Sequence, residues 1–263
     1  MAAVTEANEA CKYSKLPIIR TATGRPDRDE DASNEKDLER LMDILEAIRT
    51  RKSIRGFKPD PVPKEVIAEV LSAARRAPSS VNTQPWEVAV VTGGPLEELK
   101  KANVELFEVG YTPTQEVKFG PHSGVFRQRQ IDLAVRLFQL MGIEREDKAK
   151  RAEWSKKGYR FFDAPAAIIV AVDRLASEAS SLFDAGAFVQ TVTLAALHFG
   201  LGTCIQGQGV MSPETVRRIT GIPDTKRLII SVAIGYPDWD FPANRLETAR
   251  QPLEGFVTWC GFQ

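Results

Sequence analysis

The sequence predicts an α+β fold with many helices around one sheet. Apolar residues recur at three- and four-residue spacing in segment after segment, while strand-like runs are few and mixed among them in order. Residues 166–172 are apolar without interruption, as a buried strand requires. Residues 182–199 are apolar nearly all round over helical length, the mark of a central core or interface helix.

Residues 1–36 are polar and punctuated, with Thr23-Gly24-Arg25-Pro26 ahead of a charged run from Asp27 to Asp31. They read as an irregular arm, loose or laid over a partner subunit. From Asp37 onward, Leu38, Leu41, Met42, Leu45 and Ile48 define an amphipathic helix ending near Thr50. Pro63 opens a second helix over 64–76, with Val66, Ile67, Val70, Leu71 and Ala74 on its buried face and Pro78 as its stop. A strand follows at 87–92, and Gly93-Gly94-Pro95 starts a helix over 96–104. Residues 107–128 are broken by Gly and Pro and rich in aromatics, and two helices are expected over 130–141 and 145–157. Beyond strand 166–172 and helix 182–199 come a strand at 203–206, a helix at 213–220, a strand at 228–234 and a tail rich in Pro and aromatics.

At 263 residues the chain holds one large domain or two small ones and can bury about 70% of its unfolded surface without a disulfide or metal staple. A balance of 35 Lys+Arg against 35 Asp+Glu argues against a whole-chain polyanion binder and leaves room for a local basic patch. Hydrophobic residues at 43% and charged residues at 27% exclude disorder of the whole chain. The longest apolar run, residues 164–172, falls far short of the roughly 20 residues that span a bilayer, so no membrane span is expected. Cys11, Cys204, Cys260, His122 and His198 show no metal-ligand spacing, so no metal centre is expected. The same cysteine usage suits a reducing cytoplasm, and the N-terminus lacks the apolar core of a secretory signal. His198 lies in an apolar run and reads as a packed helix residue. With so few titratable specialists, demanding chemistry falls to a cofactor.

Two loops carry candidate chemistry. In the first, Arg51-Lys52-Ser53-Ile54-Arg55, an extended backbone projects Arg51, Ser53 and Arg55 to one side. Two guanidiniums and a hydroxyl form a phosphate clamp. The run also reads as the cationic C-terminus of a helix, which the dipole favours. A nucleic-acid patch is disfavoured by the neutral chain and the lack of interleaved aromatics. In the second loop, Pro78-Ser79-Ser80-Val81-Asn82-Thr83-Gln84-Pro85 before Trp86, hydroxyls and amides both donate and accept. That suits the edge of a heterocycle such as a flavin pyrimidine, and it also suits an ordinary capped turn before a core tryptophan.

In this order and spacing the two loops resemble the nitroreductase superfamily of FMN-dependent oxidoreductases. The matching stretches are RKSIRGF, a PVP turn and APSSVNTQPWEVAVVTG, then FFDAPAAIIV, LFDAGAFVQTVTLAALHFGLGTCIQG, LIISVAIGYPD and ARQPLEGFV. The resemblance covers about 41–257, loosely over 105–160. It implies a central, mostly antiparallel sheet in an intertwined homodimer, two FMN sites at the subunit interface and a variable helical lid over about 105–160. It also implies that Arg51 and Ser53 bind the FMN phosphate, with Lys52 standing where the family usually has Arg, and that Arg250 is a second phosphate ligand. Arg55 would lie by the N1/O2 edge, where its charge stabilises the reduced ring. Pro78, Ser79, Ser80 and Asn82 would line the ring from the partner subunit, with Gln84 in the same loop. Gln206 and Gly207 would lie near N5, where a backbone N–H can donate.

The implied reaction is ping-pong: NAD(P)H reduces the flavin and leaves, and an acceptor takes the same face. Gly207-Gln208-Gly209 lacks the third glycine and the βαβ context of a resident dinucleotide site. Residues 161–165 and 245–254 are similar to the nitrobenzoate and nitrobenzene reductase branch, which implies reduction of nitroaromatics to hydroxylamines. The alternatives are the same fold acting on quinones, enones or halogenated phenols, and a flavin-binding protein without turnover. Tyr111, Phe119, Phe126, Trp154 and Tyr159 are candidates to stack on a small aromatic acceptor. Helix 182–199 and the tail carrying Trp239, Phe241, Phe256, Trp259 and Phe262 call for burial that a second copy supplies.

Overall fold

A computed structural model describes residues 43–262. The expected arm over 1–36, and the first residues of the helix expected from Asp37, lie outside them. Among the described residues, seven helices surround one sheet: α1 (Ile44–Thr50), α2 (Lys64–Ala74), α3 (Gly93–Glu108), α4 (Gly124–Leu140), α5 (Lys148–Tyr159), α6 (Glu178–His198) and α7 (Pro213–Thr220). The strands are β1 (Trp86–Thr92), β2 (Ala166–Asp173), β3 (Gly202–Gln206) and β4 (Lys226–Gly235). They run in the order β1-β2-β4-β3 with every neighbour antiparallel.

The unbroken apolar run in β2 has a direct cause. Alternate side chains of a strand face opposite ways, and here both faces are covered. Ala166, Ile168 and Val170 pack with Val70 of α2 and Phe188 and Val192 of α6. Ala167, Ile169 and Ala171 pack with Leu96 and Leu99 of α3, Phe161 and Val216 of α7. β4 divides in the same way, with Val232 and Ile234 on the first face and Leu228 and Ala233 on the second. A one-residue slip at Val170/Ala171 accommodates the longer β4.

Two elements depart from the periodicity. α4 begins at Gly124, six residues before its apolar spacing starts, because its first turns bury almost nothing: Leu137 is its buried residue, while Phe126, Ile131, Val135 and Leu140 are exposed. α6 begins at Glu178 rather than 182. It is 21 residues long with mean hydropathy 1.2, enough by length and composition to cross a bilayer, which the shorter run counted in the sequence did not anticipate. Its Phe188–Val192–Ala196 face is packed on the sheet instead. His198, expected as a packed residue, closes α6 at the surface with its ring edge-on to Phe199, because it falls on the face turned away from the sheet.

Two segments adopt left-handed backbone outside glycine. Phe161, Phe162 and Asp163 have φ of 57, 55 and 62°, and Val81, Asn82 and Gln84 have φ of 43, 60 and 47°. Val81, the β-branched member, is a true outlier, and strain of this kind gathers where a structure holds a functional loop in place.

Candidate active site

The first cationic loop is fixed by the sheet edge. After α1 the chain turns extended; Ser53 forms a parallel bridge with Thr203 of β3, and the Ile54 N–H donates to the Thr203 carbonyl at 2.9 Å. Beyond it, the Lys58 N–H donates to the Tyr236 carbonyl and the Asp238 N–H to the Gly56 carbonyl. Gly56 must be glycine because a Cβ there would collide with the Phe241 ring. Asn244, only 1% exposed, closes the arrangement. Its Oδ1 accepts from the Arg55 N–H at 2.6 Å, and its Nδ2 donates to the Gly56 and Asp238 carbonyls at 2.7 Å each. A half-open groove of about 800 Å³ results, lined by Arg51, Lys52, Ser53, Arg55, Leu133, Leu246, Glu247 and Arg250 among others.

Arg51 and Arg250, 199 positions apart, thus meet in one groove. Arg250 is held by its own turn, donating to the Thr248 carbonyl at 3.0 Å and hydroxyl at 2.6 Å. The Arg51 guanidinium lies below its ordinary value, first through burial and then through repulsion from Arg250. Two like charges held in one groove favour an anion beside them. Lys52 is turned aside toward Glu247, at 3.9 Å. Beneath the loop, burial pushes the Cys204 thiol up, against the opposing pull of Arg55, a hydrogen bond with Ser53, and Arg51.

The same edge strand carries the next candidates at its far end. Thr203 to Gly207 is four residues of strand, roughly 13 Å. Gln206 is only 7% exposed, and neither its Oε1 nor its Nε2 has a protein partner. A buried carboxamide left open at both ends is costly unless a bound group completes it. Gly207 has no side chain to block approach; a Cβ there would stand 3.6 Å from Gln115 Nε2 and 3.8 Å from the Phe119 ring. A cationic groove at one end of β3 and an unpartnered carboxamide about a strand's length away are spaced to suit the phosphate and the ring of FMN.

The second loop is built differently. Asp184, buried in the otherwise apolar α6, accepts from the Ser80 N–H at 3.1 and 3.2 Å and faces the Thr83 hydroxyl at 3.5 Å. Ser79 Oγ accepts from the Gln84 N–H at 3.0 Å, and Gln84 Nε2 donates to the Asn82 carbonyl at 3.2 Å. Trp86 stacks on Phe188 at 5.0 Å and anchors the loop's end. Pro78, Ser80, Asn82 and Gln84 are exposed, and the groove at Arg51 includes none of residues 78–84. One chain therefore does not join its two loops into one cavity.

The five candidate aromatics separate by environment. Trp154 packs inside, 5.9 Å from Phe162, and Tyr159 packs on Phe107 at 4.8 Å, with burial pushing its hydroxyl up. Tyr111 is tied to Thr114 at 2.7 Å. Phe119 and Phe126 are exposed, and Phe119 alone of the five comes against Gly207. Asn244 and the contacts of residues 114–117 were not legible as site elements in the sequence. Asp184 left a signal, as the single acid in the stretch 182–199.

Fold and groove together define an α+β architecture with a cationic groove at one edge of its sheet. The chain belongs to the Nitroreductase family, whose pattern it matches over residues 48–236. It is 34% identical over 218 residues to the nitrobenzene nitroreductase of Ectopseudomonas oleovorans, covering 82% of this chain and 96% of that one. The FMN and NADPH-dependent nitroreductase NfnB from Sphigopyxis sp. strain HMH superposes with a TM-score of 0.79 at 31% identity, covering 84% of this chain and all of that one (100%). The FMN-dependent NfnB of Mycobacterium smegmatis, solved in complex with NADPH, gives a TM-score of 0.77 at 28% identity over 82% of this chain and 97% of that one. The chain is an oxidoreductase enzyme of that family.

Proposed function

We propose that this protein reduces nitroaromatic compounds with electrons from NAD(P)H, using FMN held at the interface of a homodimer. The observation that carries the reading is the convergence of Arg51, Ser53, Arg55 and Arg250 on one groove at the edge of β3, with the unpartnered carboxamide of Gln206 at the strand's other end. The similarity to reductases of nitrobenzene, and to nitroreductases that use FMN and NADPH, supports it.

Bound FMN would supply the two-electron redox chemistry, accepting from the nicotinamide and giving to the acceptor. The chain's own residues do the rest. Arg51 and Arg250 neutralise the phosphate, and Ser53 gives it a hydroxyl. Arg55, its backbone fixed by Asn244, sets a positive charge beside the ring and favours its reduced form. The Gly207 N–H and the Gln206 carboxamide serve the ring's polar edge. The loop over 79–84, turned to the outside on Asp184, reaches the ring of the partner subunit's site. No protein acid is required, since solvent can deliver protons; that suits a site without histidine.

Apolar side chains turned outward support the dimer. Phe183 on α6 is 80% exposed, and Ile44, Leu45 and Ile48 of α1 and Trp239, Phe256, Trp259 and Phe262 of the tail are exposed as well. A monomer rarely leaves so much apolar surface in contact with water.

The test begins with the colour of the purified protein. Absorbance near roughly 370 and 450 nm, bleached by NADPH and restored by nitrobenzene, is the expected result. A colourless protein that FMN does not reconstitute overturns the reading. Arg51→Ala removes a charged phosphate contact and should weaken FMN retention by about 1.5–3 kcal/mol, read by fluorescence titration of the apoprotein.

A further inference from the structure

Residues 111–119, between α3 and α4, have no regular structure, yet they are tied down at four successive positions. The Thr114 N–H donates to the Met211 carbonyl at 2.9 Å. Gln115 Nε2 donates to the Gly207 carbonyl at 3.3 Å. The Glu116 carboxylate accepts from the Leu228 N–H at 2.7 Å and from Arg217 Nη2 at 2.9 Å, and it pairs with Arg174. Val117 packs against Val172, Ala185 and Ile229. The strap therefore crosses from the end of β3 to the start of β4.

Glu116 is the centre of this attachment. Its carboxylate is well covered, as is Arg217, and its two oxygens serve three donors on three elements: Arg174 after β2, Arg217 on α7 and Leu228 on β4. Arg174 and Arg217 are held in turn, Arg174 Nε by the Asp224 carbonyl at 2.7 Å and Arg217 Nη2 by the Lys226 carbonyl at 2.6 Å. Three residues beyond Glu116, the Phe119 ring stands against Gly207, 62% exposed, with a free aromatic face. These ties fix the chain immediately ahead of that ring.

We propose that Glu116 is a positioning residue for acceptor recognition. By clamping the strap to Arg174, Arg217 and the Leu228 N–H, it holds Gln115 and Phe119 over Gly207 as one wall of the site that takes a flat nitroaromatic. This rests on the reductase reading above. Phe119 supplies a stacking surface, and Gln115, with one N–H given to Gly207, keeps its second N–H and its Oε1 for a polar substituent on the acceptor. The ion pairs lie away from the groove at Arg51, so the clamp acts at the Gly207 end of the site and leaves the phosphate contacts in place.

The experiment needs no turnover. In FMN-loaded protein without electron donor, nitrobenzene binding is measured by calorimetry for wild type, Glu116→Ala, Phe119→Ala and the double variant. FMN affinity and amide exchange over 111–119 are measured alongside. Glu116→Ala is expected to speed exchange over 111–119, to leave FMN affinity within about twofold, and to weaken nitrobenzene binding roughly three- to tenfold, as Phe119→Ala does. The double variant should be no worse than either single one, because both remove the same contact. Glu116→Gln keeps the side chain's size and one acceptor for the Leu228 N–H, so it should show a partial effect if the alanine variant folds poorly. Unchanged nitrobenzene binding in both Glu116 variants, additive losses, or a parallel loss of FMN overturns the proposal while the reductase reading stands. Wild-type protein that holds no FMN overturns the reading itself.

Discussion

Asn244 shows how much one buried side chain organises. Its carboxamide serves the Arg55 N–H and the carbonyls of Gly56 and Asp238, so the cationic loop and the chain after β4 become one unit. Asn244→Ala leaves these backbone groups unsatisfied and should cost about 2–3 kcal/mol, read by urea unfolding, together with weaker FMN retention. Asp163 is a second case. Burial by itself raises its pKa, but hydrogen bonds from Arg160 and Lys157 outweigh it, and the net value lies below the ordinary one. A depressed carboxyl contributes stability that is complete above its unfolded value, about 3.9, and lost as pH falls through its folded value. Asp163→Asn should therefore lower the melting temperature at neutral pH and flatten its fall below about pH 4. The same pair of cations holds the left-handed turn at Phe161–Asp163, whose φ angles would otherwise be unfavourable.

Elements carry the chemistry by how they end and what they lean on. β3 is a five-residue edge strand, and its value lies in being an edge: its open side accepts Ser53 and Ile54 at one end, and the chain leaves it at Gly207, where Gln115 and Phe119 approach, at the other. α6 uses Asp184 to hold the loop over 79–84 in a backbone that Val81, Asn82 and Gln84 would not adopt alone. Asp184→Ala should cost about 1–2 kcal/mol and speed amide exchange in that loop ahead of the rest of the molecule. Helices α2, α6 and α7 and all four strands were legible within a few residues, since each has a buried face and a punctuated end. The start of α4 was not, because a helix whose first turns bury nothing leaves no period to read. The strap over 111–119 was invisible for a related reason: its four ties reach residues about 60 to 110 positions away.

At the scale of the molecule, one chain holds both halves of the proposed site without uniting them. The groove at Arg51 and the loop at Ser80 each face outward, amid exposed apolar residues of α1, α6 and the tail. In the proposed dimer a second copy would supply the missing wall and cover that surface. Phe183→Glu places a charge on the outward face of α6. It should shift the protein toward half its mass in sedimentation and lower FMN retention in step, whereas a monodisperse monomer already in the wild type contradicts the interface.

The residues alone determined the fold class, the order of the elements and the identity of the two polar loops, because periodicity, turn residues and short motifs are local properties of the chain. They also suggested that Arg250 joins Arg51, but only through resemblance. What the tertiary structure decided was proximity: that two arginines 199 positions apart share a groove, that Gln206 is buried with no partner, that Trp154 and Tyr159 pack inward while Phe119 stands over Gly207. Those facts depend on contacts between distant segments. No local pattern encodes them, because burial and charge proximity arise only when the sheet closes.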